Sequence, residues 1–324
     1  MTSLVGNTTA QAAFGAAING ASLHHAWLFV GPQGVGKASF AHMAALRMLA
    51  DAAHPGSLPP GFAVPAGHPT RALVAAGSHP DFKLLSRLPK DSEKPDQDLA
   101  RSITIAQVRT LQGLFATTPS MSPRRVVVID AADDLERGGA NALLKSLEEP
   151  PAGTIFILIS HAAGRLLPTI RSRCRLLRFE ALATDQVAEA LRRQLPDSAE
   201  TDIAALAQSA DGAPGRALRH AGFDIAGIDR ALAAIAERGD PDNGVRIRLA
   251  RSLSGKAAAG SYAAFLDLAP SFIARQARTR SGVALRTALD AHHAARELAA
   301  AAPGLSLDPQ ATVFEMAGIV ARLR

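Results

Sequence analysis

Cysteine is almost missing from this 324-residue chain: Cys174 stands alone. One thiol excludes an internal disulfide framework and any four-thiolate zinc site. Aromatic residues are scarce, at 4%, with a single Trp and a single Tyr. No run of about eighteen apolar residues, the length a membrane-spanning helix needs, is free of charges or breakers. The segment from Met1 to Gly20 has no basic start leading into an apolar stretch, so no secretion leader is expected. With the near-absence of cysteine, this points to the cytoplasm. A dense basic run is also absent. Lys plus Arg exceed Asp plus Glu by 35 to 29, a net charge of +6. Such a balance permits contact with nucleic acid without locating it. The histidines fall as pairs (His24-His25, His292-His293) or singly (His54, His68, His79), which does not make a metal site by spacing. No Ser/His/Asp or Cys/His arrangement suggests a nucleophile, and Cys174 reads as a packed thiol.

Apolar residues make up 48% and charged residues 20%, ordinary for a folded protein. The length exceeds one ordinary core and implies two or three domains. The abundance of Ala implies much packed helix.

The most informative stretch is Gly31-Pro32-Gln33-Gly34-Val35-Gly36-Lys37-Ala38-Ser39. An apolar run, Ala26 to Val30, precedes it, and a helical pattern from Ala38 to about Leu49 follows. Strand, glycine loop, helix is the context of a phosphate-binding loop. Its backbone N–H groups and the helix N-terminus face an anion together, and Lys37 adds a point charge. The pattern calls for Ser or Thr after the lysine, to hold Mg²⁺ against the phosphates. Here that residue is Ala38, and a methyl group binds no metal. Ser39, one position on, is the one hydroxyl that could compensate. A second part is missing as well. Asp130 ends the apolar strand 126–130, where the acidic strand motif of such folds lies, but Ala131 follows it in place of the Glu that polarises water. Asp133 and Asp134 read as surface acids opening the next helix, where negative charge suits the helix dipole.

The remaining pattern alternates strands with helices. Residues 51–76 read as an irregular insertion, 82–85 as a strand, and 89–98 as a polar loop. Ile105, Val108, Leu111, Leu114 and Phe115 share one helical face. The Val/Ile-rich runs 126–130 and 154–160 read as buried parallel strands, and 175–179 as the last strand. Pro150-Pro151 stops the helix that carries Leu143, Leu144 and Leu147. After Phe179 the pattern is helical: 184–195, 201–209, 214–220, then Ala/Leu/Arg-rich helices to Arg324. Breaks are expected near Gly239, Gly255, Gly260, Pro270 and Pro303. The fold class is therefore α/β, a parallel sheet with helices on both faces, followed by all-α regions.

Five segments in order carry a resemblance: His24 through Lys37, Ser78-His79-Pro80-Asp81, Val127 to Asp130, Asn141-Ala-Leu-Leu-Lys-Ser-Leu-Glu-Glu-Pro-Pro151, and Leu167-Pro-Thr-Ile-Arg-Ser-Arg-Cys174. The chain resembles the bacterial clamp-loader branch of the AAA+ ATPases, over about residues 20–180. The resemblance implies an AAA+ phosphate-loop domain (1–180), a small helical lid (181–222) and a helical collar for oligomerisation (223–324). It places Gly31, Gly34, Gly36 and Lys37 at the phosphates, Ser160 at the strand-end sensor, and Arg173 as an arginine offered in trans to a neighbouring ATPase. An active member carries its lid arginine where Gly215 stands, which puts Arg216 one residue out of register. Many relatives carry a four-cysteine zinc module where 51–76 lies; without cysteines there, no zinc is expected. With the two catalytic parts gone, the implied function is a non-hydrolysing stator. It is no enzyme on its own, needs no cofactor and binds ATP or ADP weakly. Its implied partners are gamma/tau and delta subunits and, through the complex, the sliding clamp and primed DNA; no membrane is implied. The alternatives are an active gamma/tau-like ATPase using Ser39, and, with no acceptor motif to support it, a phosphate-loop nucleotide kinase.

Overall fold

A computed structural model describes residues 4–20, 23–91 and 99–324. Of the polar segment 89–98, residues 92–98 lie outside the described residues. The chain divides into two compact units, Met1–Ala181 and Leu182–Arg324.

The first unit is built on five strands: β1 (Ala26–Val30), β2 (Phe82–Ser86), β3 (Arg125–Asp130), β4 (Thr154–Ser160) and β5 (Arg175–Arg178). All pairings are parallel, in the order β2-β3-β4-β1-β5. Every residue of β1 and β4 is buried. That follows from their apolar sequences, with only Thr154 and Ser160 polar at the ends of β4, because successive side chains point to opposite faces and both faces are covered. Leu28, Val127, Ile129, Phe156 and Leu158 join one core with residues of α4 (Ile105–Phe115) and α5 (Arg137–Glu148). The alternate residues Trp27 and Phe29 meet Phe14 of α1 (Thr8–Asn19), and Phe29 also meets Phe40 of α2 (Lys37–Ala53). This is the two-faced α/β sandwich that the alternation predicts.

The scarce aromatics are concentrated here. Phe14, Trp27, Phe29, Phe40, Phe62 and Phe179 form one continuous set of ring contacts under the start of α2. Edge-on ring pairs of this kind contribute about 0.5–1.5 kcal/mol each beyond their buried area. The helix α1 carries no periodic apolar face strong enough to announce itself; Phe14, fully buried, anchors it.

The expectation for residues 51–76 fails. Residues 51–76 are not simply irregular: α2 runs on to Ala53, and α3 (Pro69–Ala75) forms, capped by His68. Val64, Leu58 and Val74 cover Leu46 and Ala50 on the outer face of α2, and the Arg47 and Arg71 guanidinium groups bond carbonyls of the segment. Burial of a few well-spaced apolar residues outweighs a Pro/Gly-rich composition.

In the second unit, α7 (Thr184–Gln194), α8 (Glu200–Ser209), α9 (Pro214–Arg219), α10 (Ile225–Arg238), α11 (Gly244–Ser252), α12 (Ala259–Ala277), α13 (Gly282–Gly304) and α14 (Pro309–Ala321) surround one cluster of buried residues that runs from Leu182 to Leu323. The short α6 (Pro168–Arg171) belongs to the first unit. Gly239 does end α10, in the left-handed conformation. Gly260, Pro270 and Pro303, however, lie inside helices rather than between them. Gly260 sits in the first turn of α12, and Pro303 is the penultimate residue of α13, where it leaves only the Ala299 carbonyl without its helical donor. Pro270 is in mid-helix and leaves the Leu266 carbonyl without its helical donor. The flanking Phe265, Leu266, Ala269, Phe272 and Ile273, all buried, hold α12 together across it. By length and composition α12 could cross a membrane, but these residues make it a core helix of this unit.

Candidate functional site: a phosphate loop without its metal ligand

The glycine loop leaves β1 at Gly31 and enters α2 at Lys37. Gly31, Gly34 (φ +86°) and Gly36 all have positive φ, and two of them also leave no room for a side chain. Gly31 has φ +149°, and a Cβ there would stand 2.1 Å from the Phe179 carbonyl oxygen. Gly36 has φ +98°, and a Cβ there would stand 2.6 Å from Leu4 Cδ1. The loop therefore sits tightly against the exit of β5 on one side, with Leu4 lying over it on the other. Gln11 Nε2 donates to the Leu4 and Gly6 carbonyls, and Asn7 exchanges hydrogen bonds with the Glu180 backbone. These contacts fix the N-terminal segment in place.

Lys37 is 2% exposed, and its Nζ donates to the Gly31 and Pro32 carbonyls at 2.6 Å each. Burial lowers its pKa to about 8, partly offset by the nearby Asp130 and Asp133 carboxylates. Burial raises the Asp130 pKa, against the pull of His161, His42 and Lys37. Burial, followed by the Lys37 charge, lowers that of His161.

Asp133 is not a surface acid opening a helix, as its sequence context suggests. It lies half-buried in a short 3-10 turn, Ala132–Asp134, and accepts hydrogen bonds from Ser160 Oγ at 2.8 Å and from the His161 N–H. Asp134 pairs with Arg87 at 3.0 Å. Ser160, fully buried, thus spends its hydroxyl inside the protein. Arg216 is similarly committed. Its Nε and Nη2 reach the Asp267 carboxylate and carbonyl, Nη2 also reaches Ser271 Oγ, and Nη1 reaches Asp211. Ala38 presents a methyl group at the metal position, and Ser39 is exposed one residue on, about 100° further around the helix.

The donor set suits a phosphate: a glycine-lined backbone and one lysine. It does not suit Mg²⁺, since the position that must supply an oxygen is a methyl group and Asp130 is followed by another. Among the described residues no group of three or more His, Cys, Asp or Glu is placed to hold a metal.

Arg173 is nowhere near this loop. β5 runs parallel to β1 with Trp27 opposite Arg175 and Val30 opposite Arg178. The loop begins just beyond Val30, whereas Arg173 lies before Arg175, so about 10 Å of strand separates their levels. Arg173 is one-third exposed, and its Nη2 pairs with Glu148 Oε1 at 2.6 Å. Its Nη1 donates to the Thr169 carbonyl at 2.9 Å and to Ser172 Oγ at 3.4 Å. Cys174 beside it is a packed thiol, with its pKa pushed up to about 12 by burial.

The family model described as DNA polymerase III, delta subunit, matches residues 6–183. The chain belongs to this family. Among curated relatives, it is 36% identical over 206 residues to DNA polymerase III subunit delta' of Pseudomonas aeruginosa, covering 63% of this chain and 58% of that one. It is 39% identical over 147 residues to the delta' subunit of Escherichia coli, covering 45% and 41%. The gamma/tau subunit of Mycobacterium tuberculosis is 32% identical over 179 residues, covering 55% of this chain and 28% of that one. The chain's matches thus span about half the length of the delta' relatives.

The sequence pattern placed Gly31, Gly34, Gly36 and Lys37 in the loop between β1 and α2, Asp130 at the end of β3 and Arg173 just before β5, where the structure has them. It missed Leu4, the Asp133–Ser160 tie, the acceptors that occupy Arg216, and Glu148. Each of these depends on a contact between residues distant in the chain, or on an apolar residue without periodic neighbours, and neither leaves a local signal.

Proposed function

We propose that this chain is the non-hydrolysing, delta'-type stator of a replicative clamp loader. The observation that carries the reading is the pair of methyl groups, Ala38 and Ala131, where metal-assisted hydrolysis needs an oxygen ligand and a carboxylate. The internal commitment of Ser160 supports it, since the hydroxyl at the sensor position is engaged by Asp133, and Arg216, already one residue out of register, is held by Asp267. The exposure of Ser39 argues against its standing in for the metal ligand.

In this reading, Arg173 acts on the nucleotide of an adjacent gamma/tau subunit. Its place at the end of the sheet opposite the chain's own loop favours service in trans. Arginine suits the task because it stays charged and forks onto phosphate oxygens. Trans arginines raise hydrolysis rates about 10³- to 10⁵-fold in other nucleotide hydrolases. The helical residues beyond Leu182 would supply the lid (181–222) and the collar (223–324). Delta, the sliding clamp and primed DNA would be reached through the assembly, in the cytoplasm.

The test has two arms. The purified chain is incubated with Mg·ATP, where no turnover is expected. The assembly is then reconstituted with gamma/tau and delta subunits and assayed for clamp- and DNA-stimulated ATPase with wild-type chain or Arg173→Ala. Loss of one site's share of the stimulated rate is expected. Turnover by the isolated chain that Lys37→Ala abolishes would make it a motor, and an unchanged rate with Arg173→Ala would remove the trans role.

A further inference from the structure

We infer that Glu148 is a positioning residue for Arg173, holding its guanidinium in the free subunit in the pose from which it acts on the neighbouring nucleotide. This rests on the trans-arginine reading above. The two sequence segments that distinguish the chain, 141–151 and 167–174, meet through this pair. Glu148 is the last residue of α5, and Arg173 follows α6. Both backbones are fixed from beneath. Leu147, next to Glu148, is 1% exposed, and Ile170, three residues before Arg173, is fully buried in the same core. His25 Nε2 also lies 3.0 Å from the Leu147 carbonyl.

The guanidinium is held at two corners. Nη2 meets Glu148 Oε1 at 2.6 Å, and Nη1 meets the Thr169 carbonyl at 2.9 Å. Nε has no acceptor among the described residues. One edge of the fork is therefore anchored while Nε–H remains available for a phosphate oxygen. An arginine on an exposed loop loses much rotamer freedom when it engages a ligand, and prior anchoring removes that cost from the productive encounter. Glu149, one residue on, makes no ion pair among the described residues and serves as an internal control.

The experiment uses the reconstituted assembly and the Arg173-dependent part of the stimulated ATPase, the wild-type rate minus the Arg173→Ala rate. With Glu148→Ala, that part should fall about ten-fold in kcat with the KM for ATP unchanged, because the contact orients a transition-state group and touches no bound nucleotide. Glu148→Gln keeps an acceptor oxygen at the same reach and should restore most of the rate. Glu149→Ala should match wild type, and adding Glu148→Ala to Arg173→Ala should change nothing further. An unchanged or faster rate with Glu148→Ala, an equal loss with Glu149→Ala, or a further loss in the double variant would overturn the inference. If Arg173→Ala itself is silent, the trans-arginine reading fails, and this inference with it. If Arg173→Ala is effective while Glu148→Ala is silent, only this inference fails.

Discussion

The proton on Lys37 should decide how tightly the loop holds phosphate, and it should leave near pH 8. The lysine is 2% exposed and its pKa is lowered to about 8 by burial. Roughly nine in ten side chains are then charged at pH 7 and roughly one in ten at pH 9. If the charged form is the one that binds the terminal phosphate of ADP, affinity falls about ten-fold across that interval, or about 1.4 kcal/mol. A lysine at its ordinary value, about 10.4, would lose almost nothing. Stability should move the other way. The folded pKa lies below the unfolded one, so between pH 8 and 10.5 the unfolded chain binds more protons, and stability rises with pH in that window. Below pH 8 the buried charge costs roughly 3 kcal/mol relative to an unshifted lysine. The assay is fluorescence anisotropy of a labelled ADP without Mg²⁺, from pH 7 to 9 at fixed ionic strength, beside urea unfolding of the same protein. The His161 pKa is already lowered by burial and adds no slope in this range. Lys37→Met sets the background and should abolish both trends. An affinity flat from pH 7 to 9, or a slope that survives in Lys37→Met, would refute the reasoning.

Other outcomes follow from the same geometry. Gly31→Ala drives a Cβ to 2.1 Å from the Phe179 carbonyl oxygen, a backbone atom with no room to yield, whereas Gly36→Ala meets only the Leu4 methyl at 2.6 Å. Urea unfolding should show a loss of about 3 kcal/mol or more for the first and about 1–2 kcal/mol for the second. Ala38→Thr should make ADP affinity Mg²⁺-dependent, yet give no ATP turnover in a phosphate-release assay, because Ala131 still supplies no carboxylate. Asp267→Ala removes the acceptor of Arg216 Nε and should destabilise the chain by about 2 kcal/mol in denaturant titrations. Burial pushes the Asp267 carboxyl up, but hydrogen bonds from His220 and Arg216 outweigh this and hold it well below the usual carboxylate range. Its contribution is therefore full above about pH 4, the unfolded value, and is withdrawn only as pH falls below that. Cys174, with its thiol near pKa 12, should resist alkylation at pH 8 until the chain is unfolded.

The sequence alone determined the sheet strands and the broken phosphate loop. The reason is that these signals are local. A strand buried on both faces must be apolar throughout its centre, as 126–129 and 155–159 are, and a loop that cradles phosphate needs its glycines and lysine at fixed spacing. Missing parts are equally local, so Ala38 and Ala131 could be read directly. Tertiary structure decided what a one-dimensional pattern does not encode. Pro270 stays within a helix because five buried neighbours hold it there. The Pro/Gly-rich segment 51–76 orders because Val64 and Phe62 find partners on α2. Asp133, Ser160 and Arg216 lose their expected freedom to partners distant in the chain or across a fold of it, and Arg173 gains an anchor in Glu148. Such contacts depend on where packing carries a side chain, and local spacing holds no record of that.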